Sequence, residues 1–208
     1  MADDLDADTL VELSVLSEME LQCEWALQHL RILKEHASKL QMKRVSRRGR
    51  DRMFAERTAV FREIQSILTC AGIADSLLTG KGPPRPRGLE GVSDAQRASI
   101  RAKLNLPLDF VIPGRPQRNA LIHIEERRVP WSRPGNMRGD MATAPTRIPD
   151  HPGNRQTLRA FSVNPLEFLV LGERCSLDDV EASLQLLGRA ANRAADGIFA
   201  AENAKRSA

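Results

Sequence analysis

A short segment near the middle of the chain places three polar residues within six positions, Arg118, Asn119 and His123. The whole sequence contains only four histidines, so an imidazole this close to a fixed positive charge is uncommon here. An imidazole has a reference pKa of about 6.5 and exchanges protons near neutral pH. A guanidinium can hold a phosphate through two parallel hydrogen bonds. The segment is therefore equipped for acid–base chemistry on a phosphodiester.

RNA is a suitable substrate for these three side chains because it carries its own nucleophile, the 2′-hydroxyl. Cleavage requires that hydroxyl to lose a proton, the phosphorane to be stabilised and the leaving 5′-oxygen to gain a proton. His123 can act as the general base or acid, and Arg118 can hold the phosphate. Asn119 can orient the phosphate or the ring of His123. The chemistry requires no metal, and the sequence shows no carboxylate or Cys/His cage, so we expect neither metal nor cofactor.

Helical spacing decides which of these side chains share a face. Each residue of a helix turns by about 100°, so Asn119 and His123 lie on one face, and Glu126 continues it. Arg118 is displaced from that face and shares its side with Glu125. Arg118 and His123 therefore converge only if both ends of the segment border one cleft, or if a second subunit contributes the same residues.

A structural interpretation of these residues stands beside the catalytic one. Arg118 can form an ion pair with Glu125, with His123 as a hydrogen-bonded member of the same polar network. A lone histidine is more often structural than catalytic. His29 and His36 are seven residues apart with no third ligand in sight, and this spacing favours a structural role for both.

Composition limits the class of protein. The chain has 208 residues, which suits a single domain, here 1–208. A domain of this size can bury a core large enough to fold without disulfides or a structural metal. Its three cysteines are widely separated and odd in number, which predicts buried, reduced thiols. The N-terminus is acidic, with four aspartates among the first eight residues, and no apolar run approaches the length of a membrane span. We therefore expect a cytoplasmic protein without a membrane partner.

Basic residues cluster at 43–52, after the first predicted helix, and recur through 81–157. The formal net charge is +4 and the sequence pI is about 9.3. A polyanion such as RNA is a possible partner, with sequence-independent contacts to its phosphates from Arg44, Arg47, Arg48 and Arg50. The alternative is an ordinary solvated connection. Aromatic residues make up only 4% of the chain and tyrosine is absent, which weighs against a base-stacking surface.

Periodicity and turn residues predict the elements around the segment. The core is expected to be mainly α, with four main helices and a small β-hairpin or meander before the C-terminal helix. Predicted helices cover 9–42, 51–78, 93–105, 115–129 and the region from Ser176, and predicted strands cover 157–163 and 166–171. Pro- and Gly-rich loops are expected at 79–92 and 130–156, and a frayed tail at 200–208.

The first predicted helix carries two semi-apolar stripes. One contains Met19, Cys23, Leu30 and Leu33, and the second contains Trp25, His29, Ile32 and His36. A helix with two such faces usually packs against a different neighbour on each face. The second face is expected to meet either another part of the core or a partner subunit.

Together, the Arg118-Asn119-x-x-x-His123 pattern and its surroundings resemble the Arg-x4-6-His motif of the HEPN superfamily, the higher eukaryote and prokaryote nucleotide-binding domain. Long helices precede the motif, a Pro-rich turn introduces it and an amphipathic helix closes the chain. The sequence also resembles bacterial uncharacterised proteins with an acidic and basic triplet and a tryptophan after the motif, matched here by Glu125, Glu126, Arg127 and Trp131. Ile122 stands where those proteins have an acid.

The resemblance implies a HEPN-like helical bundle. Many members are metal-independent endoribonucleases, often toxins or anti-phage effectors, and act as homodimers whose composite site joins the Arg and His of both subunits. By resemblance, Arg118 and His123 would be catalytic, Asn119 and Glu126 supporting, and an antitoxin or another protein a partner. Other members bind ligands or partners without cleaving RNA. The alternative expectation is therefore a non-catalytic helical interaction or nucleotide- or RNA-binding protein.

Overall fold

The fold is described from a computed structural model of the chain. The described residues are 5–42, 49–80, 91–122, 142–143, 159–170 and 173–207, without the side chains of 40–55, 57, 120, 122, 142 and 143. Within these ranges the helices are α1 (Ala7–Met42), α2 (Gly49–Thr79), α3 (Asp94–Leu104), α4 (Arg115–Ile122) and α5 (Leu177–Arg206). The strands are β1 (Ala142–Thr143), β2 (Arg159–Val163), β3 (Leu166–Val170) and β4 (Glu173–Ser176). The protein is mainly helical with a small sheet.

Helix α1 is the central element because it packs against both other long helices, α2 and α5. Its first predicted stripe is buried as expected, with Met19, Leu30 and Leu33 fully inaccessible to solvent. The facing residues of the two neighbours are equally apolar: Val60, Ile64, Ile67 and Leu68 from α2, and Val180, Leu184, Leu187 and Ala191 from α5. Burial of these side chains supplies the main driving force for folding.

The sheet covers one side of the helical core. Strands β2, β3 and β4 form an antiparallel meander, and the two-residue β1 pairs with β2 in parallel orientation. Phe161, Phe168 and Cys175 are neighbours across the three strands and join the same buried cluster as the helices. The face with the aromatic residues therefore packs on the helices, and β4 leads directly into α5.

Most predicted elements agree with the structure. Helix α3 begins with the expected capping box, in which Ser93 and Gln96 exchange hydrogen bonds, and it ends at Asn105 in the left-handed conformation. Ser176 caps α5 as predicted and accepts a hydrogen bond from the Asp179 N–H.

Two expectations need adjustment. The region 130–156 was expected to be loop throughout, yet Ala142–Thr143 pairs with the edge of the sheet. A two-residue strand carries too little periodicity to be read from sequence. The tail expected to fray from residue 200 is helical as far as Arg206 and exposed. Fraying of such an exposed helical end stays a prediction.

The second stripe of α1 contacts the polar edge of α2 through two histidine–carboxylate pairs. His29 Nδ1 lies 2.6 Å from Glu63 Oε2, and His36 Nδ1 lies 2.7 Å from Glu56 Oε2. Trp25, on the same stripe, is 45% exposed. Of the two alternatives for this stripe, the described contacts are with another part of the core. Both histidines join α1 to α2, which fits the structural role expected of them.

Glu63, which joins α2 to α1 through His29, makes the stability of the fold depend on pH in the acid range. Glu63 is only 3% exposed. Burial alone would raise the pKa of this carboxyl, but hydrogen bonds from His29 and Arg62 outweigh burial and hold the pKa below its usual range. A lowered pKa stabilises the fold above the unfolded-state value of about 4.5, and this contribution is lost as pH falls through the folded-state pKa. Glu63→Gln should therefore cost about 1–3 kcal/mol at pH 7 and flatten the acid loss of stability.

Urea unfolding of both proteins between pH 3 and pH 7 measures this effect. The matched control is Glu181→Gln, which breaks the more exposed pair between Lys34 and Glu181 and should cost less than about 1 kcal/mol. Equal losses from the two substitutions at pH 7 would show that the buried pair contributes no more than the exposed one.

Candidate functional site

Helix α4 carries Arg118, the predicted catalytic arginine, and contacts α2 on one side and β4 on the other. It follows Gly114, whose φ of +99° favours glycine and whose carbonyl accepts the first helical hydrogen bond, from Arg118 N–H at 2.8 Å. On one side, Arg115 Nη1 lies 3.7 Å from Asp75 Oδ2 of α2. On the other side, Gln117 Nε2 donates to the Arg174 carbonyl of β4 at 2.7 Å. The backbone of α4 is therefore fixed relative to both α2 and the sheet.

The side chain of Arg118 lies directly against the backbone of α2 at Gly72. A Cβ placed on Gly72 would stand 1.6 Å from Arg118 Nη1 and 2.5 Å from both Cδ and Cζ. These distances are far inside van der Waals contact, so the guanidinium occupies the space that a side chain at position 72 would need. The contact requires glycine because no other residue leaves this space empty.

Two successive contacts join α2 and α4, and they differ in charge. Arg115 and Arg118 are three apart on α4, and Asp75 and Gly72 are three apart on α2, so each pair shares a helix face. Since Arg115 meets Asp75 and Arg118 meets Gly72, the helices run antiparallel along this contact. At the first contact α2 supplies a carboxylate, and at the second it supplies none.

Arg118 consequently lacks a counter-charge from the described part of the chain. Its Nε is buried and has no hydrogen-bond partner among the described residues. A buried donor left unsatisfied costs roughly 1–3 kcal/mol, and more for a charged group. An anion that bound the guanidinium would supply the counter-charge that the described residues do not.

The structure describes only part of the predicted site. Asn119 follows Arg118 on α4 and is half-buried. His123, Glu125 and Glu126 lie outside the described residues, as does the predicted end of this helix beyond Ile122. The structure therefore fixes the position of Arg118 and Asn119, while their convergence with His123 stays a prediction.

The basic segment is similarly described at one end only. Arg44, Arg47 and Arg48 lie outside the described residues, and Arg50 belongs to the first turn of α2 without a described side chain. Arg50 precedes Gly72 by 22 residues (72 − 50) on the same helix. At 1.5 Å per residue this separates the two positions by about 33 Å. Arg50 and Arg118 of one chain therefore cannot contact the same phosphate.

The cysteines are the buried free thiols that the sequence predicted. Burial raises the pKa of Cys23 and of Cys175 to about 12, and burial also raises the pKa of Cys70. A thiol rather than a thiolate is present at neutral pH in each case. None of the three is therefore prepared to act as a nucleophile.

Three residues of the site were missed by sequence reasoning: Gly72, Asp75 and Gln117. Their roles come from contacts between α4, α2 and β4, which are distant in sequence. The one available signal was an interior glycine in an otherwise regular helical stretch, because glycine there lowers helix stability. The acid Asp75 gave no signal, since most acids on a helix are solvated.

Within the described ranges, no helix is sufficiently long and apolar to cross a bilayer. The same residues contain no group of three or more His, Cys, Asp or Glu side chains able to hold a metal ion. No protein-family model, curated protein or solved structure matches this chain.

Proposed function

We propose that the protein is a HEPN-like, metal-independent endoribonuclease of toxin or defence type, in which Arg118 binds the scissile phosphodiester and His123 transfers protons. The observation that carries this proposal is the uncompensated guanidinium of Arg118, with its buried Nε unpartnered among the described residues. A structural arginine is expected to face an acid, as Arg115 faces Asp75. An arginine that binds a phosphate must instead be open to an external anion.

The proposed reaction needs only the side chains of the motif and the substrate itself. The 2′-oxygen attacks phosphorus as its proton passes to a base, and the P–O5′ bond breaks as O5′ receives a proton. The products are a 2′,3′-cyclic phosphate and a 5′-hydroxyl. His123 serves as general base or general acid, and Arg118 stabilises the charge of the phosphorane. Asn119 orients the phosphate or the imidazole, and Glu126 supports the same face.

A homodimer belongs to this proposal. The HEPN resemblance implies a composite site in which the Arg and His of both subunits meet. Arg44, Arg47, Arg48 and Arg50 would contact the RNA backbone away from the scissile phosphate, because about 33 Å of α2 lies between Arg50 and Gly72, the residue that Arg118 contacts. An antitoxin or another protein partner would regulate such an activity.

The guanidinium of Arg118, which forms no ion pair with a described residue, also supports a second candidate function, binding of RNA or a nucleotide without cleavage. In this case Arg118 would still contact the phosphate, but His123 would take no part in proton transfer. Cleavage requires the 2′-hydroxyl of the substrate as its nucleophile, whereas binding to a phosphate backbone does not require it.

An RNA whose 2′-hydroxyls are replaced by hydrogen separates these functions. We expect the purified protein to cleave a single-stranded RNA in EDTA and to leave the 2′-deoxy oligonucleotide of the same sequence intact. Both oligonucleotides should bind with dissociation constants within about threefold, since phosphate contacts dominate affinity. Binding of both without cleavage of either would favour the non-catalytic function, and cleavage of both would exclude attack by the 2′-hydroxyl.

A further inference from the structure

Gly72 occupies an unusual position for a glycine. It lies well inside α2, seven residues before the helix ends at Thr79 (79 − 72), and it is buried. Glycine weakens a helix interior because it loses more backbone freedom on folding than any other residue. At a buried interior position the missing side chain lets another group approach closely, and at Gly72 that group can be identified.

The group that fills the space at Gly72 is a single side chain. The three heavy atoms nearest to a Cβ built there all belong to Arg118, at 1.6 Å, 2.5 Å and 2.5 Å. Gly197 in α5 provides the contrast, because a Cβ built there meets nothing within 4 Å. Gly72 therefore makes room for an arginine, whereas a Cβ at Gly197 would have no neighbour within 4 Å.

The position of the Arg118 backbone is constrained by two contacts of α4. Its backbone is fixed by the Arg115–Asp75 ion pair and by the hydrogen bond from Gln117 to the Arg174 carbonyl. A methyl group at position 72 would meet only the flexible end of Arg118, so the guanidinium would move while α2 stays folded. Position 72 therefore controls where the guanidinium lies and how much water reaches it.

We propose that Gly72 is a positioning residue for Arg118. It holds the guanidinium against the α2 backbone, where Nε is shielded from water and no carboxylate of the described chain competes for it. The anion that this arrangement fits is a phosphodiester, so the inference rests on the proposed function for its ligand. The position of the guanidinium itself is independent of that function and can be measured separately.

The first test follows the Arg118 Nε–H resonance by ¹⁵N NMR, assigned by its disappearance in Arg118→Lys. Shielding should slow its exchange with solvent in the wild type, and Gly72→Ala should accelerate that exchange by about tenfold or more. Gly197→Ala is the matched control. It should leave the exchange unchanged and raise the melting temperature by about 2–4 °C, as expected for a glycine replaced in an open helical position. Unchanged exchange in Gly72→Ala would overturn the proposal.

The second test measures RNA cleavage by the same variants. A displacement of about 1 Å can cost a hundredfold in rate, so Gly72→Ala should lose most activity while Gly197→Ala keeps it. If Gly72→Ala exposes Nε yet cleaves like the wild type, the positioning role is wrong although the nuclease proposal survives. If the wild type cleaves no RNA, the nuclease proposal fails, and the exchange measurement still decides whether Gly72 holds Arg118.

Discussion

Replacement of Arg118 by alanine should slow RNA cleavage by about a hundredfold or more, the usual cost of removing one group that stabilises a developing negative charge. The free energy of unfolding should change by less than about 1 kcal/mol, since no ion pair to another described residue is lost. A large functional loss and a small structural one are expected together because the guanidinium has no counter-charge, and its Nε no hydrogen-bond partner, among the described residues.

Arg115→Ala is the matched control, because it removes an arginine of the same helix that does face an acid, Asp75. It should reduce stability modestly and slow cleavage far less than Arg118→Ala does, because Gln117 still attaches α4 to β4. Cleavage rates and urea unfolding of the two variants provide the measurement. The structural-network interpretation predicts the opposite for Arg118→Ala, a loss of about 3 kcal/mol or more, as when one partner of a buried ion pair is removed.

Replacement of His123 by alanine should abolish most cleavage but preserve RNA affinity. General acid–base catalysis contributes about a hundredfold to ten-thousandfold to a rate, and we expect a loss in this range. Affinity should stay within about twofold of the wild type because phosphate contacts dominate binding. Arg118→Ala differs in this respect, since it should weaken binding as well as catalysis. The two residues thus have separable roles in the proposed site.

The affinities are best measured with the uncleaved 2′-deoxy oligonucleotide, so that turnover does not interfere. His29→Ala is a suitable control, because it removes another histidine that hydrogen-bonds Glu63 between α1 and α2. It should lower stability and leave the specific cleavage rate of the folded protein unchanged. Full activity of His123→Ala would remove this histidine from the mechanism.

Much of the helical architecture could be predicted because its determinants are local in sequence. The apolar stripe of α1 and the capping box at Ser93 and Gln96 each specify an element within a few turns of chain. Two of the strands before α5, β2 and β3, followed from short apolar runs on either side of Asn164-Pro165.

The candidate site could be predicted only in part, because its important contacts are tertiary. The sequence identified Arg118 but could not show that it lies against Gly72, 46 residues earlier (118 − 72). It also suggested Glu125 as the partner of Arg118, since neighbouring charges on a helix are the only pairs that spacing reveals. Which of two arginines on α4 receives a carboxylate depends on the orientation of α4 against α2, and that orientation is set by packing.

The most direct test of the account is RNA cleavage in EDTA by the wild type, Arg118→Ala and His123→Ala, with chemical identification of the product ends. The wild type should cleave and leave 2′,3′-cyclic phosphate and 5′-hydroxyl ends, and both variants should fold but lose about a hundredfold or more in rate. Cleavage by Arg118→Ala at the wild-type rate, or products ending in 5′-phosphate, would contradict it.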